Sequence, residues 1–280
     1  MKILIFGKGF VGTRCAEIWG DQATLSDHRI IDVAGVLEEI DKHKPDAVLN
    51  AAGTTGRPNV DWCDEHPRET ILGNVLAPII LAEACQEKNV YLLHLASGCI
   101  FYGKSPHSDG AWREEDFANP LPTYSRSKYA ADLVLSTLPN VGIARLRMPI
   151  DSVPSQRNMI DKIVRYPKVI DVENSVTIVE DLVDVAYQLM KKRGEGIFHC
   201  TNPGSMRHKE LITLYRELVD PEHTCEWIKE EDLVAQGLTT KKRSNNIMHS
   251  SRLGELGITM RPIQEALRDT MQKYAANKKA

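Results

Sequence analysis

The chain opens with an apolar run, KILIF, that breaks at once into GKGFVG and then into a helical pattern over Phe10–Trp19. A strand that turns straight into a helix through G-x-G-x-x-G has few ways to fold. Gly7 permits the tight turn, Gly9 lets the backbone approach a pyrophosphate, and Gly12 lets the helix pack closely on the strand. The first helical amides, at Phe10 and Val11, then face the phosphates. A glycine turn that serves only strand-to-helix packing is the alternative, and it fits poorly with a motif at residues 7–12 of a chain that keeps alternating strand and helix.

That alternation runs on. DAVLNAAG, VYLLHLA, VGIARLRM and GIFHCT read as buried strands. VLEEIDKH, Arg68–Lys88, Ser125–Leu138 and VEDLVDVAYQLMKK read as helices between them. Short apolar runs separated by longer helical patterns are the mark of βαβ units on a parallel sheet. The expected fold is therefore α/β: a Rossmann-type doubly wound parallel sheet over residues 1–148, with 175–203 returning to it. Regular alternation fails after RMPI, so a smaller substrate-binding lobe is expected over 149–174 and 204–280, ending in the amphipathic IQEALRDTMQKYAA.

Charge and cysteine usage narrow the ligand. With 35 basic and 38 acidic residues the net charge is −3, and no basic run marks a nucleic-acid footprint. Cys15, Cys63, Cys85, Cys99, Cys200 and Cys225 show no C-x-x-C spacing, as expected of free thiols in a reducing compartment without structural zinc or any other metal. No signal-peptide core or membrane-length apolar run is visible. A cytoplasmic protein acting on a small neutral or anionic ligand is expected, with neither nucleic acid nor membrane as partner.

Chemistry concentrates in YSRSK, where Tyr124 and Lys128 stand four apart on one helix face. An ammonium one turn from a phenol favours the phenolate and brings proton exchange nearer neutrality. Ser97 ends the preceding predicted strand, and Asn74 lies in the helix before it. A serine, a tyrosine and a lysine at the carboxyl edge of a dinucleotide sheet polarise a carbonyl and protonate it. Asp27 lies 20 residues after Gly7, where an acid would take a ribose hydroxyl; Arg29 would instead meet a 2′-phosphate. Arg57, Asn59 and Trp62 sit in a loop suited to shaping a sugar pocket, and Arg243 of RSNN offers a guanidinium to a diphosphate. His94, inside an apolar strand, reads as a satisfied core histidine.

Gly7, Gly9, Gly12, NAAG at Asn50–Gly53, Asn74, Ser97, Tyr124 and Lys128 together resemble the extended short-chain dehydrogenases/reductases that act on nucleotide sugars. Longer strings, NAAGTTGRPNVDWCDEHP, SGCIF, RMPI, RNMIDKIVRYPKVID, TNPG and RSNN, are similar to the nucleotide-linked 4-keto-6-deoxyglucose 3,5-epimerase/4-reductases of rhamnose synthesis. The resemblance implies Ser97, Tyr124 and Lys128 as the reductase triad, and Cys99 with Lys162 as the epimerase acid/base pair. It implies an NADPH site at Gly7, Gly9, Phe10, Val11, Gly12, Arg29, Ala51, Ala52, Gly53, Asn74, Tyr124 and Lys128, with NADH open because of Asp27. For the UDP- or dTDP-linked sugar it implies Arg57, Trp62, Cys99, Asn158, Lys162 and Arg243. Related enzymes pair helices in a four-helix contact. Ile79, Ile80, Leu133 and Leu135 lie around more than one face of the corresponding helices here, so a homodimer is expected. Two other readings stay open from residues alone: a dTDP-4-dehydrorhamnose reductase without epimerase activity, and a non-catalytic dinucleotide-binding regulator.

Overall fold

A computed structural model describes residues 1–57 and 59–279. Six strands, β1 (Ile3–Phe6), β2 (Ala23–Leu25), β3 (Ala47–Asn50), β4 (Tyr91–Ser97), β5 (Val141–Leu146) and β6 (Gly196–His199), form one parallel sheet in the order 6-5-4-3-1-2. The principal helices are α1 (Phe10–Trp19), α2 (Val33–His43), α3 (Ala77–Glu87), α4 (Thr123–Leu135), α5 (Met159–Arg165), α6 (Val179–Lys192), α7 (His208–Leu218) and α8 (Ile263–Lys279).

Both faces of the sheet are covered, which is why every residue of β1, β3 and β4 is buried. Alternation within β1 divides the core. Ile3 and Ile5 join Cys15 of α1 and Val183 and Leu189 of α6 on one face. Leu4 and Phe6 join Val36, Ile40, Leu81, Cys85 and Leu135, from α2, α3 and α4, on the other. Each such side chain contributes about 1.5–3 kcal/mol by leaving water, and together they fix the sheet edge from which the site loops depart.

A second core, separate from the sheet, gathers Ile150, Ile160, Ile163, Leu211, Tyr215, Met271 and Tyr274 around α5, α7 and α8. Val176 and Ile178 pack here as well, because Thr177–Ile178 pairs in parallel with Pro149–Ile150 before α6 returns to the sheet. The two bodies are tied by Arg14 of α1, whose Nε donates to the buried Asp151 carboxylate at 2.9 Å.

The helix expected over Arg68–Lys88 runs from Pro67 to Glu87 and carries a π turn in its middle. Pro67–Ile71 is followed by a π-helical turn, Leu72–Leu76, and only then by α3. A π turn adds a residue and rotates the faces of the helix before it relative to those of the helix after it. Ile80 and Leu135, two of the residues on which a dimer contact was expected, are in the core, whereas Ile71, Leu72, Leu76, Leu133 and Val134 are exposed. Among the described residues no helix is long and apolar enough to cross a membrane.

Candidate active site

The strand order reverses at β1: its neighbours β2 and β3 lie on opposite sides, and the loops leaving β1 and β3 part to open a crevice. Gly7–Gly12 leaves β1 and Ala51–Gly53 leaves β3. Gly7 has φ 108°, and a Cβ there would strike the backbone of Ala51 and Ala52. A Cβ on Gly12 would press on the Gly7 carbonyl and come within 2.9 Å of Ala51 Cβ. One on Gly9 would meet only the Arg157 guanidinium, at 3.3 Å. The α1 N-terminus has neither a side-chain cap nor an acid in its first turn, so its amides are left for an anion. The Phe10 and Val11 side chains pack on the core and offer only backbone to this cradle. These features fit a dinucleotide diphosphate.

Beside Gly9, Lys8, Arg14, Arg57 and Arg157 line a cleft of about 400 Å3. Arg57 thus stands on the diphosphate side of the molecule, not in the sugar pocket expected for it. Asp27 is exposed and ion-paired with Lys8, which lowers its carboxyl. Arg29 is exposed, with no side-chain partner among the described residues. Asn74, in the π turn, is 1% exposed and spends its amide on the loop after β3: Oδ1 accepts from Thr54 N at 2.7 Å, and Nδ2 donates to Thr54 O at 2.9 Å and to Ser127 Oγ at 3.0 Å. It acts by fixing that loop.

A second cavity, about 520 Å3, opens between the sheet edge and the smaller lobe; Cys99, Tyr124, Arg147, Met159 and Asn245 are among its walls. Ser97 ends β4, and its Oγ accepts from Cys99 N at 3.1 Å while its hydroxyl faces the Tyr124 phenol. Burial first, then the Cys99 sulfur, push the Tyr124 phenol up; Ser97 and Arg147 oppose this. Lys128, 5% exposed, is pushed down to about 8 by burial, against Asp132. Its Nζ donates to Leu95 O at 2.9 Å and lies 3.4 Å from His94 Nε2. The lysine therefore turns toward the strand rather than charging the phenol, and Tyr124 keeps its proton, where the spacing alone predicts a lowered phenol.

Arg147 is the functional residue that sequence reasoning missed. It is 3% exposed; Nη1 contacts Cys99 Sγ at 2.6 Å, and Nη2 donates to Asn174 Oδ1 at 2.5 Å and to the Ser244 carbonyl. Lys162 of α5 is solvent-exposed, on the helix whose Met159 and Ile163 line the cavity. Burial, then Arg157, push its ammonium down, and the Cys99 sulfur pulls it back up.

Three expected substrate residues are used otherwise. Asn158 is 0% exposed and closes its own loop: Nδ2 donates to Asp151 O at 2.7 Å and to Val153 O at 3.0 Å, and Oδ1 caps α5 at Ile160 N, 3.2 Å. Its short amide is consumed by backbone and cannot reach a sugar. Trp62 stacks on His66 with ring centroids 3.9 Å apart, outside the cavity walls, which Asn59 does join. Arg243 lines the cavity, but its guanidinium is paired in bidentate fashion with Asp61 at 2.7 and 3.0 Å. The rest of RSNN is scaffold: Ser244 Oγ donates to Phe101 O at 2.7 Å and Asn246 Nδ2 to Gly98 O at 3.0 Å, holding the Cys99 turn. No group of three or more His, Cys, Asp or Glu that could hold a metal occurs among the described residues.

Residues 1–276 match the family described as the RmlD substrate-binding domain. The chain is 38% identical to the bifunctional dTDP-4-dehydrorhamnose 3,5-epimerase/dTDP-4-dehydrorhamnose reductase of Arabidopsis thaliana, over 95% of this chain and 91% of that protein. A trifunctional UDP-glucose 4,6-dehydratase/UDP-4-keto-6-deoxy-D-glucose 3,5-epimerase/UDP-4-keto-L-rhamnose reductase of the same plant is 35% identical over the whole of this chain, which spans only 42% of its length. Among solved structures, the L780 UDP-rhamnose synthase of Acanthamoeba polyphaga mimivirus superposes with a TM-score of 0.89 at 30% identity, covering 98% of this chain and 99% of that one.

Proposed function

The chain belongs to the RmlD substrate-binding-domain family, and from that premise we propose that it uses NADPH to convert a UDP- or dTDP-linked 4-keto-6-deoxyglucose to the nucleotide-linked rhamnose, by 3,5-epimerisation followed by 4-reduction. The observation that carries the reading is that Tyr124, in the cavity wall, meets the Ser97 hydroxyl and shares that wall with the Cys99 sulfur, which acts electrostatically on Lys162. A bare reductase needs only the first two.

Gly7, Gly9, Phe10, Val11, Gly12, Ala51, Ala52 and Gly53 would hold the dinucleotide, with Arg57 and Arg157 at its diphosphate and Arg29 at its 2′-phosphate. When bound, NADPH supplies hydride to C4 of the sugar. Tyr124, kept protonated by its surroundings, gives its proton to the oxygen developing at C4, while Ser97 orients that carbonyl. Lys128, poised at about 8, returns a proton to Tyr124 for the next turnover. In the epimerase step, hydrogens at C3 and C5 are acidified by the C4 ketone between them. Cys99 and Lys162 flank the ring, one taking the proton and the other returning one to the opposite face. Arg147 supports the negative charge on the Cys99 sulfur whenever it is the base.

The test is incubation with UDP- and dTDP-4-keto-6-deoxyglucose in deuterium oxide with NADPH, followed by identification of the hexose. Wild type gives nucleotide-rhamnose deuterated at C3 and C5. Cys99→Ser and Lys162→Met lose deuterium uptake and retain measurable reduction of a pre-epimerised 4-keto-rhamnose nucleotide. Tyr124→Phe loses reduction by at least about a hundredfold, as positioned proton transfer requires. Undiminished deuterium uptake in both Cys99 and Lys162 variants leaves a simple reductase, and no turnover of either nucleotide leaves a dinucleotide-binding regulator.

A further inference from the structure

We propose that His94 is a positioning residue for Lys128: held by Asn50 as the neutral tautomer with its proton on Nε2, it presents an N–H to the lysine nitrogen and favours the amine over the ammonium. The assignment starts from a donor that cannot change its role. The Ala52 backbone N–H points at the Asn50 side chain 3.0 Å away, so the atom it meets is the amide oxygen. The Asn50 NH2 is then the group 2.9 Å from His94 Nδ1. His94 is 0% exposed, and burial, then Lys128, hold its pKa well below the usual imidazole value, so the ring is neutral and carries one proton. Facing a donor, Nδ1 is bare, and the proton is on Nε2.

That proton points at Lys128 Nζ across 3.4 Å, while Nζ itself donates to Leu95 O at 2.9 Å. A neutral amine has one lone pair to accept the His94 N–H. An ammonium has none and sets donor against donor. Asp132, one turn on, favours the ammonium, but its carboxylate accepts from Arg145 Nε at 2.8 Å; Tyr124, one turn back, is protonated. The neighbouring Asn74 and Ser127 bond to each other and carry no charge. The chain Ala52–Asn50–His94–Lys128 thus connects the loop after β3, which borders the cofactor crevice, to the nitrogen that must shed a proton readily.

The kinetic arm of the test rests on the reduction proposed for this site; the spectroscopic arm does not. Long-range 1H–15N correlation spectra of histidine-labelled protein, without cofactor, are expected to show His94 protonated on Nε2 and bare on Nδ1 between pH 6 and 8. An Nδ1–H tautomer or an imidazolium overturns the proposal whatever the activity. Asn50→Asp places an acceptor against Nδ1, moves the ring proton there, and leaves Nε2 free to accept from the ammonium. In this variant the basic limb of the reduction rate rises by about one pH unit, so the rate at pH 9 relative to pH 7 increases about fivefold. His94→Phe, which removes the N–H, shifts the limb the same way. Wild-type limbs in both variants reduce His94 to a core filler. If the wild type reduces neither nucleotide sugar, the functional reading fails while the spectra still decide the tautomer.

Discussion

Replacing Asn158 with alanine is expected to separate the two half-reactions proposed for the site. The side chain is 0% exposed and ties together the loop from Asp151 to α5, with donations to Asp151 O and Val153 O at 2.7 and 3.0 Å and acceptance from Ile160 N and Asp151 N at 3.2 and 3.3 Å. Losing the cap costs about 1 kcal/mol, and each buried backbone group left without a partner costs about 1 kcal/mol more, so about 2–4 kcal/mol of stability is lost. The loop carries Arg157, which stands over Gly9, and leads into the helix that carries Lys162. Ser97, Tyr124 and Lys128 lie on β4 and α4, outside that loop and helix. Urea denaturation reads the first effect. The second is read by comparing deuterium uptake into 4-keto-6-deoxyglucose nucleotide with reduction of the pre-epimerised sugar, at a temperature where the variant is folded. Uptake falls by more than reduction does. Asn158→Asp, which keeps the cap but loses both donations, lies between. Stability unchanged within about 0.5 kcal/mol, or equal loss of both activities, refutes the placement of Lys162 and the role of its loop.

Asp27 is paired with Lys8 and Arg29 is exposed, so NADPH is preferred over NADH; Arg29→Ala loses on the order of 1.5–3 kcal/mol of NADPH binding and little of NADH binding, read by cofactor fluorescence titration, and wild-type preference for NADH refutes it. His94 and His199 are neutral in the fold with pKa values well below 6.5, so below that value only the unfolded chain takes up their protons. Stability is therefore fully present above pH 6.5 and falls beneath it by up to about 1.4 kcal/mol per pH unit for each, read by urea midpoints at pH 7 and 5.5; equal midpoints refute it. Ile71, Leu72, Leu76, Leu133 and Val134 expose apolar surface on the π-turn segment and α4, so light scattering at micromolar concentration is expected to give twice the chain mass, and monomer alone refutes a dimer.

What could be read in the sequence was what local periodicity and strand ends determine. α1 and α6 fall where uninterrupted 3.6-residue spacing puts them, and Gly7, Ala51 and Ser97 mark the carboxyl ends of three strands, which a parallel sheet brings to one edge. The π turn escaped because one added residue leaves the apolar count of Arg68–Lys88 unchanged while rotating its faces. Arg243 and Asn158 have partners that spacing along the chain does not reveal. Each is a polar side chain whose type suits a ligand, but its partners are decided by tertiary structure: Asp61 lies 182 residues from Arg243, and Asn158 is claimed by the backbone of its own loop.

Arg147 shows what a sharper reading would use. In VGIARLRM, two arginines alternate with apolar residues in a strand that pairs on both sides, and such a strand has little room for a solvated charge. A guanidinium held there must find partners in the interior or leave the fold destabilised. Arg145 points to one face and finds Asp132 at 2.8 Å. Arg147, just past the strand end and above the edge where Ser97 stops, finds Asn174, the Ser244 carbonyl and a sulfur. Only the last is a group that gains reactivity from a neighbouring positive charge. The three bonds hold the guanidinium against Cys99, so the charge is fixed before any sugar arrives. Under the function proposed above, this preorganisation is what would let Cys99 serve as a base beside Tyr124 and Ser97.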